Sequence, residues 1–506
     1  MGQKRWMVVI LLGVLLIRVL PLLLIQSVRT GGVVSTIEAD PLLYLGGARA
    51  ILATGTNPFN FFPPLNFIFI ASFLSLGKGN LFVPTCAMAV VGWLTVVGIY
   101  LLAKTLFGEK TALCAALIAG SYPNFIFYGI SFYSETLTLF WIVASFLMLV
   151  RYFTTSRGYY LMSSGVLWGL ASLTRGGLHY FSFFMVLALA VTHFRKTGNI
   201  PGKPIAQFLF ATYLTIIVTG LLVSSVQGEF SLNSKSGIGS LIHGANRITT
   251  SCPDYGDIRG NIFYAINRCG EQWPEGSQLY SEDLWKLGTG EIFLKVVSFV
   301  AHDPLTYLKN SLRKLSCLWS PNQVVIKYVK ITLRHTPRFL VEGICGGISL
   351  WYVVVICGGL WGMTMAGDPF RRIFIFFILF YCVIVFLSVG NSKLRLPLMP
   401  FFIMYCAYFI TQVRTIPWKR ILLNKWCVGI TVIFICNSVY TYQEICLSPA
   451  EVEVRQTELC TTLGFPKTAL YLIGQYRNYG YYTRDQKERL MRAEENAHAQ
   501  LQTAED

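Results

Sequence analysis

The chain has 506 residues, of which 13% are Asp, Glu, Lys or Arg and 54% are hydrophobic. Soluble globular chains carry about 25% charged residues. This composition and a mean hydropathy of +0.53 therefore exclude a soluble enzyme, a disordered protein and a nucleic-acid-binding protein. The net charge of +17 fits a polytopic membrane protein, because Lys and Arg collect in its short cytoplasmic loops. The sequence predicts an all-α, multi-pass membrane protein.

The first predicted span runs from Trp6 to about Gln26, behind Lys4 and Arg5. A signal peptide begins in the same way, but no small-x-small cleavage site follows and the apolar run is long for one. We therefore predict an uncleaved span with a cytoplasmic N-terminus. Further apolar runs bring the total to about eleven spans, since a crossing needs about 20 mostly apolar residues. These runs are Leu81–Ala103, Thr111–Ser131, Thr136–Val150, Tyr160–Thr174, Gly177–Thr192, Ile205–Val226, Phe339–Met365, Ile373–Val389, Leu396–Thr411 and Trp426–Tyr440.

The loops between these runs support the count. With the N-terminus inside, the predicted cytoplasmic loops are rich in Lys and Arg, and Glu109 and Asp368 are their acidic residues. Moving one span would place half of the basic residues on the wrong side. The predicted organisation is an N-terminal transmembrane module of residues 1–226 with a first outer loop at 27–80, an extracytoplasmic loop region at 227–338, a C-terminal transmembrane module at 339–440 and an extracytoplasmic tail at 441–506.

The outer segments are expected to carry the function, because loops on a rigid scaffold supply most binding and catalytic residues. In the first outer loop, the apolar piece Leu65–Leu76 is too short to span and is predicted to lie in the membrane interface. The region 227–338 is polar and rich in Gly and Asn. The end of the tail, Arg484–Asp506, is predicted to be an exposed, charged helix.

Two carboxylates follow the first span. Glu38 and Asp40 lie within three residues of each other, and Tyr44 comes one helical turn later. Such a pair is able to hold a divalent cation or to supply a general base, and a solvated loop is the alternative interpretation. The two acids permit a metal ion without requiring one.

Basic residues stand at the predicted outer ends of spans, namely Arg175, Lys393 and Arg395. A lone Arg at a membrane boundary is often a snorkelling anchor. Positive charge on the outer face, however, opposes the inside bias and indicates an anionic partner. A phosphate is suitable, because a guanidinium binds its oxygens in bidentate fashion and Lys adds a point charge.

Two motifs in the region 227–338 have open interpretations. His243-Gly244-Ala245-Asn246 follows a stretch rich in Gly and Ser. Further on, His302-Asp303-Pro304 leads to Arg313-Lys314, near Trp319. These two basic residues are expected either to attract lipid headgroups or to bind substrate.

The order of the motifs resembles the bacterial members of the protein-mannosyltransferase superfamily, which are GT-C glycosyltransferases. The resemblance covers the chain from Arg5 to about Arg414. In chain order, the motifs that carry it are the acidic pair, Tyr44, Asn57-Pro58, Pro63-Pro64-Leu65, Leu101-Leu102-Ala103-Lys104-Thr105-Leu106-Phe107-Gly108, Ser134-Glu135-Thr136-Leu137, Gly169-Leu170-Ala171-Ser172-Leu173-Thr174-Arg175 and Lys393-Leu394-Arg395-Leu396-Pro397-Leu398-Met399-Pro400.

The resemblance implies a GT-C fold and transfer of a sugar, with inversion, from a polyprenyl-phosphate carrier at the outer leaflet. It implies that Asp40 is the catalytic carboxylate of the loop and that Arg175, Lys393 and Arg395 lie near the carrier phosphate. The predicted substrate-binding residues are Tyr44, Glu135, His243, Asn246 and Arg313. The Trp-Trp-Asp-Tyr-Gly element of oligosaccharyltransferases is absent from the sequence, which disfavours transfer of a whole oligosaccharide.

The chemistry of the residues agrees with this resemblance. A hydroxyl acceptor needs a carboxylate to take its proton, and Asp40 is the candidate, with Glu38 positioning it or the acceptor. Fixed cations at the leaving phosphate stabilise the transition state. The predicted location is the inner (plasma) membrane, with the active site on the extracytoplasmic face and a glycan, lipid or protein as acceptor.

Two other functions remain as alternatives. A lipid-linked glycan polymerase or ligase would use a diphosphate-linked donor at a similar site. A transporter or flippase would need ionisable residues near the bilayer midplane and often has two related halves, whereas here the polar residues cluster at the ends of spans and no internal repeat is visible.

Overall fold

Most of the described residues are in helices. The computed structural model describes residues 2–24, 39–57, 59, 62–198, 202–227, 236–245, 265–266, 269–271, 279, 287–321, 323–333, 336–413, 425–445, 449–476 and 482–505. No strand occurs within these ranges, and the predicted all-α class is confirmed.

The helices of the described ranges are, in chain order, α1 Gly2–Leu24, α2 Ala39–Thr54, α3 Leu65–Leu76, α4 Phe82–Phe107, α5 Glu109–Ser121, α6 Pro123–Gly129, α7 Glu135–Thr155, α8 Gly158–Thr174, α9 Phe181–Thr197, α10 Gly202–Gln227, α11 Ser236–Gly244, α12 Thr289–His302, α13 Pro304–Leu318, α14 Val324–Thr332, α15 Arg338–Met365, α16 Phe370–Leu387, α17 Met399–Gln412, α18 Lys425–Ile445, α19 Pro449–Thr462, α20 Pro466–Tyr476 and α21 Arg484–Glu505. Short 3-10 helices at Gly176–Tyr180 and Ser392–Leu398 precede α9 and α17.

The described residues do not confirm the predicted number of membrane spans. Among the described residues, six helices are long and apolar enough to cross a membrane, or up to seven if the bent pair of α5 and α6 is one span. The protein is an integral membrane protein, but the predicted count of eleven is not confirmed. Within the described residues, most of each predicted run is helical, and some of these helices are short, such as the apolar stretches Gly176–Val191 and Cys427–Thr441.

A proline breaks one predicted span. The run Thr111–Ser131 is predicted to be one span, and in the structure it contains α5 and α6, which meet at an angle of 61°. Tyr122 at the junction is extended, with φ −70° and ψ 115°. Pro123 has no N–H to continue the hydrogen-bond ladder of α5, and its ring disfavours a helical conformation at the preceding residue.

The helices form two compact units. The first comprises Met1–Gly237, Trp351–Phe380 and Leu396–Thr431. Its helices pack through polar and aromatic contacts that suit a membrane interior, where packing and interhelical hydrogen bonds drive association. The Ser145 hydroxyl of α7 donates to the Ser164 carbonyl of α8 at 2.8 Å, and the Phe146 ring contacts those of Trp168 and Phe401.

The second unit comprises Ile238–Leu350, Tyr381–Arg395 and Val432–Asp506. In it the helices α19, α20 and α21 pack on one another, and Cys460, Phe465 and Ala497 share an apolar cluster. Arg489 of α21 pairs with Glu451 and Glu458 of α19. The predicted helix at the end of the chain exists, but one of its faces is buried, so the prediction of an exposed helix was wrong for that face. The predicted division into four successive segments stays a prediction.

Candidate functional site

The first outer loop folds into two packed helices. α2 begins at Ala39, with Asp40 in its first turn, where the helix dipole favours a negative charge. At Gly47 the backbone of α2 comes so close to α3 that a Cβ would lie 2.5 Å from the Phe67 ring. The buried Tyr44 ring packs against Phe62 and Phe67, with centroids 5.3 and 4.9 Å away. This packing fixes the position of the Tyr44 hydroxyl.

The Tyr44 hydroxyl lies at the start of α7. It is hydrogen-bonded to the Ser134 side chain, and the charges of Asp40, Glu135 and Arg175 act on it. Asp40 is four residues before Tyr44, on the same face of α2. The structure therefore brings together four predicted site residues from three parts of the sequence, Asp40 and Tyr44, Glu135, and Arg175. We call these four the acid–base cluster.

An ion pair holds two members of the acid–base cluster. The Arg175 Nη1 donates to Glu135 Oε1 at 3.2 Å, and the side chains are 17% and 5% exposed, respectively. Arg175 directly follows the last residue of α8 and has an extended backbone. Next to the pair, the hydroxyl oxygens of Thr138 and Thr174 are 3.0 Å apart and fasten α7 to the end of α8. Glu135 thus orients the guanidinium that was predicted to bind phosphate.

The electrostatics keep Tyr44 protonated. Burial raises the pKa of the Tyr44 hydroxyl far above its usual value, and the carboxylates of Asp40 and Glu135 raise it further, while Ser134 and Arg175 act in the opposite direction. A neutral hydroxyl is able to donate a hydrogen bond to a carboxylate or to a substrate oxygen. The acid–base cluster therefore combines a carboxylate, a hydroxyl donor and a fixed guanidinium.

Two predicted site residues, Glu38 and Asn246, lie outside the described residues. Within the described part of the chain, no group of three or more His, Cys, Asp or Glu side chains is arranged to hold a metal ion. The metal option at Glu38 and Asp40 stays a prediction.

A second set of predicted residues lies in the second unit. Gly244 packs so closely on the chain after α16 that a Cβ would lie 2.5 Å from the Ser388 carbonyl oxygen. Burial lowers the pKa of the neighbouring His243 to about 4, so its imidazole is neutral at pH 7. The Lys314 ammonium donates to the Gly244 carbonyl at 3.0 Å. The two motifs of the region 227–338 thus meet.

The segment with the predicted phosphate-binding residues joins the same unit. Asn391 Oδ1 accepts the Lys393 N–H at 2.9 Å and shapes the turn. Arg395 is buried, and its Nη1 donates to the Leu318 carbonyl at the end of α13 at 2.6 Å. Arg313 is exposed on α13, whereas its neighbour Lys314 is fully buried. The prediction that Arg313 binds substrate stays a prediction.

An apolar cavity lies in the first unit. Its volume is about 350 Å³, and side chains of α3, α4 and α7 line it, among them Phe69, Val91 and Trp141. Trp141 is less than two turns after Glu135 on α7. The cavity is large enough for part of a hydrocarbon chain.

Solved structures from two organisms are similar to parts of this chain. The oligosaccharyltransferase of Archaeoglobus fulgidus in its apo form has a TM-score of 0.48 at 13% identity over 95% of this chain and 60% of its own length. The same organism's AglB, in complex with an inhibitory peptide and a dolichol-phosphate, has a TM-score of 0.46 at 15% identity. ArnT from Cupriavidus metallidurans bound to undecaprenyl phosphate has a TM-score of 0.44 at 15% identity, over 98% of this chain and 78% of its own.

The chain spans about 60% of the length of the oligosaccharyltransferase that it matches. A search of curated proteins found no match. Comparison with family models gave one match, to the dolichyl-phosphate-mannose-protein mannosyltransferases, over residues 62–222. This segment contains Glu135 and Arg175. The resemblance that the sequence motifs indicated is confirmed, since residues 62–222 match the dolichyl-phosphate-mannose-protein mannosyltransferase family.

Proposed function

We propose that this protein is a GT-C glycosyltransferase that moves a sugar, with inversion, from a polyprenyl-phosphate carrier to a hydroxyl acceptor outside the cytoplasm. The observation that carries the proposal is the family match over residues 62–222, together with the acid–base cluster, two of whose members lie in that segment. A carboxylate beside a fixed guanidinium is what this reaction needs. The acceptor is a glycan, a lipid or a protein.

Asp40 is the proposed general base. It takes the proton of the acceptor hydroxyl while the acceptor oxygen forms a bond to the anomeric carbon of the sugar. The bond from that carbon to the carrier phosphate breaks at the same time, and the carrier leaves as a phosphate monoester. A single displacement inverts the anomeric centre. The neutral Tyr44 hydroxyl is suited to orient Asp40 or the sugar by donating a hydrogen bond.

Arg175 is the proposed phosphate ligand of the first unit. The leaving phosphate gains negative charge as the bond breaks, so a cation already fixed at that oxygen stabilises the transition state more than the ground state. Glu135 accepts a hydrogen bond from Nη1 of Arg175, and the planar fork of N–H donors of a guanidinium suits the oxygens of a phosphate. We assign Glu135 to orientation of Arg175. The sequence predictions for Lys393 and Arg395 as donor-phosphate residues stay part of the proposal.

The apolar cavity supports a lipid-linked donor, because an isoprenoid chain needs an apolar surface near the reacting phosphate. The proposed location is the inner (plasma) membrane, with the acid–base cluster on the extracytoplasmic side. Cysteine labelling at Thr54, an exposed position near the end of α2, tests this orientation. Labelling from the outside supports the proposal, and labelling from the cytoplasmic side alone contradicts it.

A donor screen tests the reaction class. The purified protein in lipid vesicles is incubated with labelled sugars on polyprenyl monophosphate or polyprenyl diphosphate carriers, and membranes of the producing cell supply the acceptors. The proposal predicts transfer from a monophosphate donor with release of polyprenyl phosphate. Transfer from the diphosphate donors alone would indicate a polymerase or ligase and would overturn it.

A further inference from the structure

Lys314 is a buried cation on α13 with polar and aromatic contacts. Its side chain has no exposed surface, its Nζ donates to the Gly244 carbonyl at 3.0 Å, and the same Nζ lies over the Tyr307 ring, 4.9 Å from the centroid. A buried ammonium is costly unless its donors are satisfied, and a cation over an aromatic face gains additional stabilisation. Lys314 therefore joins two separate parts of the second unit with directional contacts.

Both contacts of Lys314 lead to the chain after α16. The Tyr307 hydroxyl donates to the Leu387 carbonyl at 2.9 Å. On the other side of the ammonium, Gly244 packs on the backbone of Ser388. Lys314 thus fixes the spacing between the segment that contains His243 and the point where the chain leaves α16.

The other end of α13 is attached to the same stretch of chain. The Leu318 carbonyl accepts the hydrogen bond from Arg395, and Asn391 shapes the turn that carries Lys393. α13 therefore holds the segment from Leu387 to Arg395 at both ends. A displacement of α13 would move Lys393 and Arg395, the two predicted phosphate-binding residues of this segment.

We infer that Lys314 is a positioning residue for the carrier phosphate, acting through the segment from Leu387 to Arg395. The inference rests on the proposed function and deepens it. Loss of the ammonium removes the hydrogen bond to the Gly244 carbonyl and the charge over the Tyr307 ring. The conformation of the segment from Leu387 to Arg395 that binds phosphate is then populated less. The apparent dissociation constant of the donor rises by the inverse of that population. One charge-assisted hydrogen bond limits the effect to roughly tenfold to hundredfold.

Donor kinetics of matched variants test the inference. Lys314→Met keeps the length of the side chain and removes the charge, and Lys314→Arg keeps the charge and can stack on Tyr307. Lys309→Met is the control, because Lys309 is exposed on the same helix. The initial rate of sugar transfer in vesicles is measured against the concentration of the polyprenyl-phosphate donor, and the melting temperature of each variant is recorded.

We expect Lys314→Met to raise the donor KM about tenfold or more and to leave kcat within about twofold of wild type. Lys314→Arg should restore part of the donor affinity, and Lys309→Met should behave as wild type. A variant that is merely destabilised loses active protein, which lowers the apparent kcat and leaves KM unchanged. A wild-type KM in Lys314→Met overturns the inference. If Lys314→Met does not fold, the donor KM of Lys314→Arg and Tyr307→Phe tests the inference. A raised KM in either variant supports it, and a wild-type KM in both overturns it. If the wild-type protein itself transfers no sugar, the proposed function fails, and this result is distinct from a failure of the inference about Lys314.

Discussion

The ion pair of Glu135 and Arg175 predicts an asymmetry between its two single variants. At 3.2 Å the gross Coulomb attraction is about 5 kcal/mol for an effective dielectric constant near 20, and desolvation offsets most of it. Glu135→Gln leaves an amide oxygen to accept from the guanidinium, which is 17% exposed. Glu135→Gln should therefore lower the free energy of unfolding by the difference between a charged and a neutral hydrogen bond, about 1 kcal/mol.

Arg175→Met has a larger cost. It leaves a carboxylate that is 5% exposed without its guanidinium, and Asp40 acts on the same Tyr44 hydroxyl. Removing one partner of a buried pair costs about 3–5 kcal/mol. The double variant Glu135→Gln/Arg175→Met leaves no unpaired charge, so it should be more stable than Arg175→Met alone.

Reversible unfolding in mixed detergent micelles at pH 7, followed by tryptophan fluorescence, measures these differences. The expected order of stability is wild type, Glu135→Gln, the double variant and then Arg175→Met. Equal losses in the two single variants, or a double variant that is less stable than both, would refute the assignment of Glu135 as the orienting partner. The donor KM should rise in Arg175→Met and change less in Glu135→Gln.

Substitutions at three other positions should change the stability of the protein in a predictable direction. Because burial lowers the pKa of His243 to about 4, the unfolded chain binds a proton below about pH 6.5 that the folded chain does not bind. Stability is therefore full above that pH and should fall by about 3 kcal/mol as the pH drops to 4, a loss that His243→Gln removes in the same unfolding assay. Gly47→Ala should lower the melting temperature, because the new Cβ overlaps Phe67, whereas Gly46→Ala meets ordinary contacts and should be neutral or stabilising. Glu271 Oε1 and Oε2 accept the first N–H groups of α20, so Glu271→Gln should cost about 1 kcal/mol and speed hydrogen exchange there.

Much of the fold was predictable where a proline or a glycine marks the end of an element. The predicted apolar piece Leu65–Leu76 coincides with α3, which Pro64 precedes and Gly77 ends. The run Thr111–Ser131 was interpreted as one span although Pro123 lies inside it, because hydropathy alone does not register the lost N–H. The packing of α19, α20 and α21 depends on contacts between distant residues, which composition does not reveal.

The candidate site was predictable as a list of residues but not as a set of partners. Glu135 and Arg175 are 40 residues apart, and their pairing depends on how α7 packs on α8. Lys314 had a usable signal. It is seven residues after Tyr307 and four before Leu318, so the three lie on one face of a helix that starts at Pro304. Because the sequence motif alone does not give the register of α13, it did not distinguish Lys314 from the adjacent Arg313 as the buried residue.

The proposed mechanism makes Asp40 the base of a sugar transfer from a polyprenyl-phosphate donor. Turnover and donor binding are measured side by side for wild type, Asp40→Asn and Arg49→Gln, a control at an exposed position of α2. We expect Asp40→Asn to fold, to bind donor as the wild type does and to lose about 10²–10⁴-fold in turnover, and we expect Arg49→Gln to be unaffected. A folded Asp40→Asn protein with near-normal turnover would contradict the claim.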